Sequence, residues 1–149
     1  MKRKEPFKDI DKALTIETKT RIRFNEVDPL GIVWHGNYIA YFEDGREDFG
    51  RAHGISYLDV KANGYSTPIV KSICEHKLPL RYGDVATIKT IFIDTPAAKM
   101  IFNYEIYNSE REVVCTGQTI QVFVADSDGL SLTMPKFFED WKQKMGLLQ

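Results

Sequence analysis

Cysteine is scarce in this chain. Only Cys74 and Cys115 occur among 149 residues, far apart and with no second cysteine beside either, which excludes a disulfide-stapled miniprotein and the close spacing of zinc or redox motifs. They are read as buried thiols. A disulfide between them requires Cα atoms within about 7 Å, which sequence does not reveal. No window approaches the ~18 apolar residues that span a bilayer, and Met1 to Lys12 is charged throughout, without the apolar stretch of a signal peptide. The expectation is a cytoplasmic protein without membrane insertion. An excess of one charge is also missing. Lys plus Arg (20) balances Asp plus Glu (21) for a net charge of −1, so no global positive field favours nucleic acid. A local basic pocket for phosphate stays compatible with that balance.

What is present suits one self-sufficient domain over residues 1–149. Apolar residues make up 43% of the chain, and a chain of this size buries about 68 to 70% of its unfolded surface, enough for a core without metals or disulfides. Residues 1–13 are polar and are expected to fray. Thr15 to Asn25 alternates Ile16, Thr18, Thr20, Ile22 and Phe24 against charged neighbours, the period of a half-buried strand. Glu26 to Gly36 breaks that pattern with Asp28-Pro29, a turn former, and Gly31, which permits positive φ. From Tyr38 to about His53 the apolar set Tyr38, Ile39, Tyr41, Phe42, Phe49 and Ala52 recurs at helical spacing, with Asn37 as an expected N-cap and Gly54 as a C′ stop. Glu43, Arg46, Glu47 and Arg51 are placed to pair along the other side. Ser56 to Asn63 reads as irregular or helical.

Four further β-rich stretches follow, Pro68 to Leu80, Val85 to Asp94, Lys99 to Ser109 and Glu112 to Ala125, with short separators that make consecutive antiparallel pairing the economical topology. Residues 135–145 read as a closing amphipathic helix with Pro135 at its first turn. One long helix and about five long strands predict an α+β domain in which the helix lies on one face of a curved antiparallel sheet. Open sheet edges of that length invite association, which a dimer joining edges would remove.

The loop before the long helix concentrates chemistry. Within Val27 to Tyr38 a carboxylate, a glycine and a helix N-terminus follow a strand. Unpaired N–H groups at a helix start carry partial positive charge and suit an oxygen that gains negative charge during reaction. The alternative is that Asp28 only caps its own turn.

The string D-P-L-G-I-V-W-H-G-N-Y, followed by Ala40-Tyr41-Phe42-Glu43-Asp44-Gly45-Arg46, closely resembles the 4-hydroxybenzoyl-CoA thioesterase family, including its acyl-CoA thioesterase branch associated with the Tol-Pal cluster. The resemblance implies a hotdog fold, dimerisation through edge strands as a homodimer or homotetramer, and active sites between subunits. It implies hydrolysis of a small or medium acyl-CoA, with coenzyme A as part of the substrate and no cofactor or metal. Asp28 would be nucleophile or general base, the N–H of His35 would polarise the thioester carbonyl, and Gly31 would aim both groups. The imidazole of His35 could instead bind water or substrate, or only pack. Trp34, Gly36 and Tyr38 would contribute to substrate binding, with Tyr38 either a pocket wall or core. Lys71, Lys77, Arg81 and Lys99 could meet the nucleotide, Lys71 and Lys99 being the leading binding candidates, although the first reading of each is an ordinary exposed charge. The His35-Gly36-Asn37 phrase with Asp44 further on also looks like a branch whose helix carboxylate does the chemistry, but Asn37 stands where that motif has glycine. His53 and His76 read as surface or helix-end residues. A noncatalytic module binding acyl-CoA or an acyl carrier protein is the alternative function; a dehydratase is disfavoured by the Asp28 motif.

Overall fold

The computed structural model describes residues 14–148; the expected fraying of residues 1–13 lies outside them. Strand β1 (Thr15–Arg21) leads through a 3-10 turn at Phe24–Glu26 to α1 (Asn37–His53) and α2 (Tyr57–Ala62). Then come β2 (Tyr65–Ser66), β3 (Ile69–His76), β4 (Val85–Ile93), β5 (Lys99–Tyr107), β6 (Val113–Val122), β7 (Val124–Ala125), β8 (Gly129–Leu130) and α3 (Lys136–Lys144). The main sheet has five antiparallel strands in the order β1-β4-β5-β6-β3, and β2-β7-β8 form a small second sheet.

Consecutive pairing therefore holds for β4, β5 and β6 and fails for β3, which pairs with β6 at the far edge. The separator before β4 does not close a hairpin because its backbone is committed elsewhere. Leu80 O accepts from Val33 N (2.8 Å), and Gly83 N donates to Ile22 O (3.1 Å). The chain thus runs across the loop that precedes α1, and β4 starts beside β1.

The helix α1 buries Tyr38, Tyr41, Phe42, Phe49, Gly45 and Gly50, while Ile39 and Ala52 stay exposed. Its apolar stripe lies on the sheet at close range. A methyl on Gly45 would overlap the Thr90 hydroxyl of β4, and one on Gly117 of β6 would overlap the Phe42 ring. Phe42 stacks on Tyr104 (4.4 Å between centroids), whose hydroxyl pairs with Thr119 (2.6 Å) and accepts from Arg46 (3.2 Å). Each such fully buried aromatic is worth about 1.5 to 3 kcal/mol of transfer free energy. Gly54, at φ +73°, ends the helix as expected, and Arg51 pairs with Glu47 (3.0 Å). Asn37 is a correction: Gly36 occupies the N-cap position, and Asn37, already helical, donates its Nδ2 to Glu26 O (2.7 Å). The helix α3 closes the far end, where Trp141 Nε1 donates to His53 O (2.7 Å) and its ring meets Phe92 and Phe138. Among the described residues no helix is long and apolar enough to cross a membrane.

Candidate active site

The segment between β1 and α1 folds into a miniature hairpin. Val27 bridges Val33, Asp28 N donates to Ile32 O (2.8 Å), and Gly31 N donates to Asp28 O (2.9 Å). Asp, Pro and Gly stand at the first, second and fourth places of the resulting turn, which their preferences favour. Gly31, at φ +77°, takes the left-handed position that closes such a three-residue loop. The hairpin is then pinned to the segment before β4 through the Val33–Leu80 bond and an Ile32–Arg81 bridge.

This geometry fixes the Asp28 carboxylate. Oδ1 accepts from Leu30 N (2.8 Å), an Asx turn, and among the described residues no partner is recorded for Oδ2. The expected capping role is therefore real, and it uses one oxygen. Half-buried Asp28 also lines a cavity of about 400 Å³ together with Ile32, His35, Tyr38, His76 and Lys77.

The α1 N-terminus supplies donors. Trp34 N is spent on Glu26 O (2.9 Å) and Asn37 N on Trp34 O (2.9 Å), whereas among the described residues neither the His35 nor the Gly36 N–H takes an acceptor. They precede a 17-residue helix, so the positive end of its dipole adds to their pull on an anionic oxygen. Gly36 lets the Trp34 ring lie close over the helix start: a β-carbon there would overlap the ring and displace it. That ring lies against His35 (5.0 Å between centroids) and is half exposed.

Of the residues expected at the site, Asp28, His35 and Tyr38 come together on one cavity, whereas Gly31, Trp34 and Gly36 do not line it. Lys71 on β3 and Lys99 at the start of β5 are exposed and line neither this cavity nor the larger recess of about 810 Å³ between α1, α2 and the start of β3. Asp44 lies outside both cavities, and burial, with Glu26, Glu43 and Glu47 nearby, raises its carboxyl above the usual range. Burial pushes the Tyr38 hydroxyl up to about 12, with Cys115 adding to the effect, so it stays neutral at physiological pH.

His76 is exposed, as the surface reading expects, but it is not idle surface. It sits on β3, lines the cavity, and packs edge-on against Tyr38 (4.8 Å between centroids). Beside it, Cys74 and Cys115 are free thiols whose sulfurs lie 3.4 Å apart. Burial raises the pKa of both. Only the β3–β6 pairing brings these groups together; spacing along the chain carried no such signal. His53, by contrast, is the last residue of α1, with its ring against Phe49.

A carboxylate residue on a cleft that a helix start also borders suits activation or delivery of an oxygen nucleophile, and unpaired amides there suit the oxyanion that results. A five-stranded antiparallel sheet packed on one long helix carries these residues. The model of the Thioesterase-like superfamily matches residues 22–142. The chain belongs to that superfamily and has its hotdog fold. It is similar to YneP of Bacillus subtilis, provisionally named an acyl-CoA thioesterase, at 31% identity over 120 residues, covering 80% of this chain and 87% of that one. The acyl-CoA thioester hydrolase YbgC of Escherichia coli O157:H7 is 25% identical over 104 residues, covering 70% and 78%. The solved DHNA-CoA thioesterase of Staphylococcus aureus superimposes with a TM-score of 0.80 at 26% identity, covering 89% of each chain.

Proposed function

We propose that the protein hydrolyses the thioester of a small or medium acyl-CoA to free acid and coenzyme A, with Asp28 as nucleophile or general base. The observation that supports this reading is that Asp28, His35 and Tyr38 line one cavity beside the α1 N-terminus. The thioester carbonyl oxygen accepts from the His35 and Gly36 N–H groups. On the general-base route Asp28 takes a proton from water, the water oxygen bonds to the carbonyl carbon, and the C–S bond breaks to release thiolate, which is protonated. On the nucleophilic route Asp28 bonds to the carbonyl carbon, the C–S bond breaks to release thiolate, which is protonated, and water then cleaves the mixed anhydride to the free acid and the restored Asp28 carboxylate. The DPLGIVWHGNY motif supports membership of the 4-hydroxybenzoyl-CoA thioesterase family and its Tol-Pal-associated branch. Lys77, at the cavity wall, is the cation best placed for a phosphate.

A second copy fits the β3 edge. Val70 (58% exposed) and Ile73 (38%) leave apolar surface on an outermost strand, which pairing into a homodimer or homotetramer would cover. The Asx turn favours one other reading, that Asp28 is purely structural and the fold binds acyl-CoA or acyl carrier protein without turnover. Thiol release from a panel of acyl-CoA and acyl carrier protein esters, by wild type and Asp28→Asn in parallel, decides between them. Turnover by wild type that collapses in the variant supports hydrolysis; binding without turnover, or an unaffected variant, refutes the role of Asp28.

A further inference from the structure

Cys74 and His76 are two apart on β3, so their side chains share one face. The register sets His76 opposite Cys115 of β6. The three donor atoms, two sulfurs and an imidazole nitrogen, all lie within 4.8 Å of one another. Cys74 Sγ is 3.4 Å from Cys115 Sγ and 3.6 Å from His76 Nε2.

These lengths are informative. With Zn–S near 2.3 Å and Zn–N near 2.05 Å, a tetrahedral ion separates two sulfurs by about 3.8 Å and a sulfur from a nitrogen by about 3.6 Å. The two edges from Cys74 match those figures within a few tenths of an ångström, and the third, between Cys115 Sγ and the imidazole, lies within 4.8 Å, so binding draws it in. A disulfide fits less well, because Cys74 stands opposite Gly117 and Cys115 opposite His76. The cysteines are thus diagonal neighbours, a relation that spans about 7 to 8 Å in an antiparallel pair, beyond the usual Cα separation of a bridge. Two thiolates and an imidazole are also a donor set that selects a soft or borderline ion over magnesium or calcium. The Tyr38 ring, edge-on to His76, supports the imidazole from behind.

We propose that Cys74, His76 and Cys115 form a binding site for a thiophilic divalent cation, with zinc as the preferred ion. Three protein ligands leave one position of the tetrahedron for solvent or a ligand, and exposed His76 also lines the Asp28 cavity. The site is independent of the hydrolytic reading.

The test is a titration of the full chain, reduced and chelator-treated, with cobalt(II). The expected result is one equivalent bound, with a thiolate-to-cobalt charge-transfer band and the intense visible bands of a tetrahedral ion, all abolished by added zinc. Cys74→Ser should remove about half of the charge-transfer intensity. Both Cys74→Ser and His76→Ala should weaken binding by more than the ~10- to 100-fold cost of losing an outer-shell partner, while His53→Ala leaves the titration unchanged. Both altered positions lie on an edge strand, and circular dichroism verifies that the variants fold. Absence of the charge-transfer band, or an unchanged titration in Cys74→Ser, overturns the proposal. So does a chain that gives no cobalt spectrum when reduced yet forms a Cys74–Cys115 disulfide in oxidised glutathione. The readout is spectroscopic, so its failure leaves the thioesterase reading standing.

Discussion

On the proposed function Asp28 holds two jobs in one side chain, building its turn and serving the hydrolysis, and substitution can separate them. Asn retains an acceptor oxygen for Leu30 N–H, so Asp28→Asn preserves the turn and should leave stability within about 0.5 kcal/mol of wild type. Asp28→Ala removes the acceptor. Leu30 is 77% exposed, so water takes over its amide and the cost falls at the low end for a hydrogen bond, about 0.5 to 1 kcal/mol. For a domain of this size 1 kcal/mol moves Tm by roughly 2 to 4 °C. Both variants lack the carboxylate, and both should lose on the order of 10² to 10⁴ in turnover, about 2.7 to 5.4 kcal/mol of barrier. Melting curves and thiol-release rates on the same three samples give the answer. Equal activity loss with unequal Tm supports a chemical role; an active Asn variant beside a destabilised, inactive Ala variant would mean that the carboxyl only builds the turn.

His35→Ala keeps the backbone N–H and should lose less turnover than Asp28→Asn; a greater loss in the same thiol-release assay would move the catalytic weight to the imidazole. Lys142 is 1% exposed and reaches both Asp94 (2.5 Å) and Thr95 O (2.9 Å). Asp94→Asn therefore leaves a buried ammonium short of its counter-charge and should cost about 1 to 3 kcal/mol in urea unfolding, below the full value for a buried pair because Asp94 is 44% exposed. Lys142→Met, which keeps the stem packed and leaves a carboxylate that water can solvate, should cost less; the reverse order would refute this account. The Tyr38 hydroxyl, raised from about 10 to about 12, contributes stability that is fully present below pH 10 and lost as pH rises toward 12. The loss is on the order of 2 kcal/mol. Alkaline unfolding of wild type against Tyr38→Phe isolates it from Tyr107, also pushed up to about 12, and parallel curves would refute it.

The elements that periodicity controls were legible in the sequence. Tyr38, Tyr41, Phe42 and Phe49 mark one face of α1, and D-P-x-G marks the turn, because both signals are local. The partner of β3 was not legible: hydrogen bonds between distant segments decide it, and Val33 and Ile22 claim the backbone that a β3–β4 hairpin would need. Asn37 has the chemistry of a cap, but a carbonyl eleven residues earlier, that of Glu26, takes its amide. Ser56 does cap α2, through a reciprocal pair with Asp59 that its residue types allow. His76 gave no local signal because its neighbours Tyr38 and Cys115 arrive from another helix and another strand.

The glycines under α1 have a consequence for how such a molecule can diversify. With Gly45 against Thr90, Gly117 against Phe42 and Gly50 only 2.8 Å, measured from an added β-carbon, from Ser56 Cα, the helix lies closer to the sheet and to the turn after it than a side chain at any of these positions would allow. The floor of the cleft is a fixed datum. New acyl preferences would have to be written into the hairpin and the β3 rim, while the spine beneath them stays as it is.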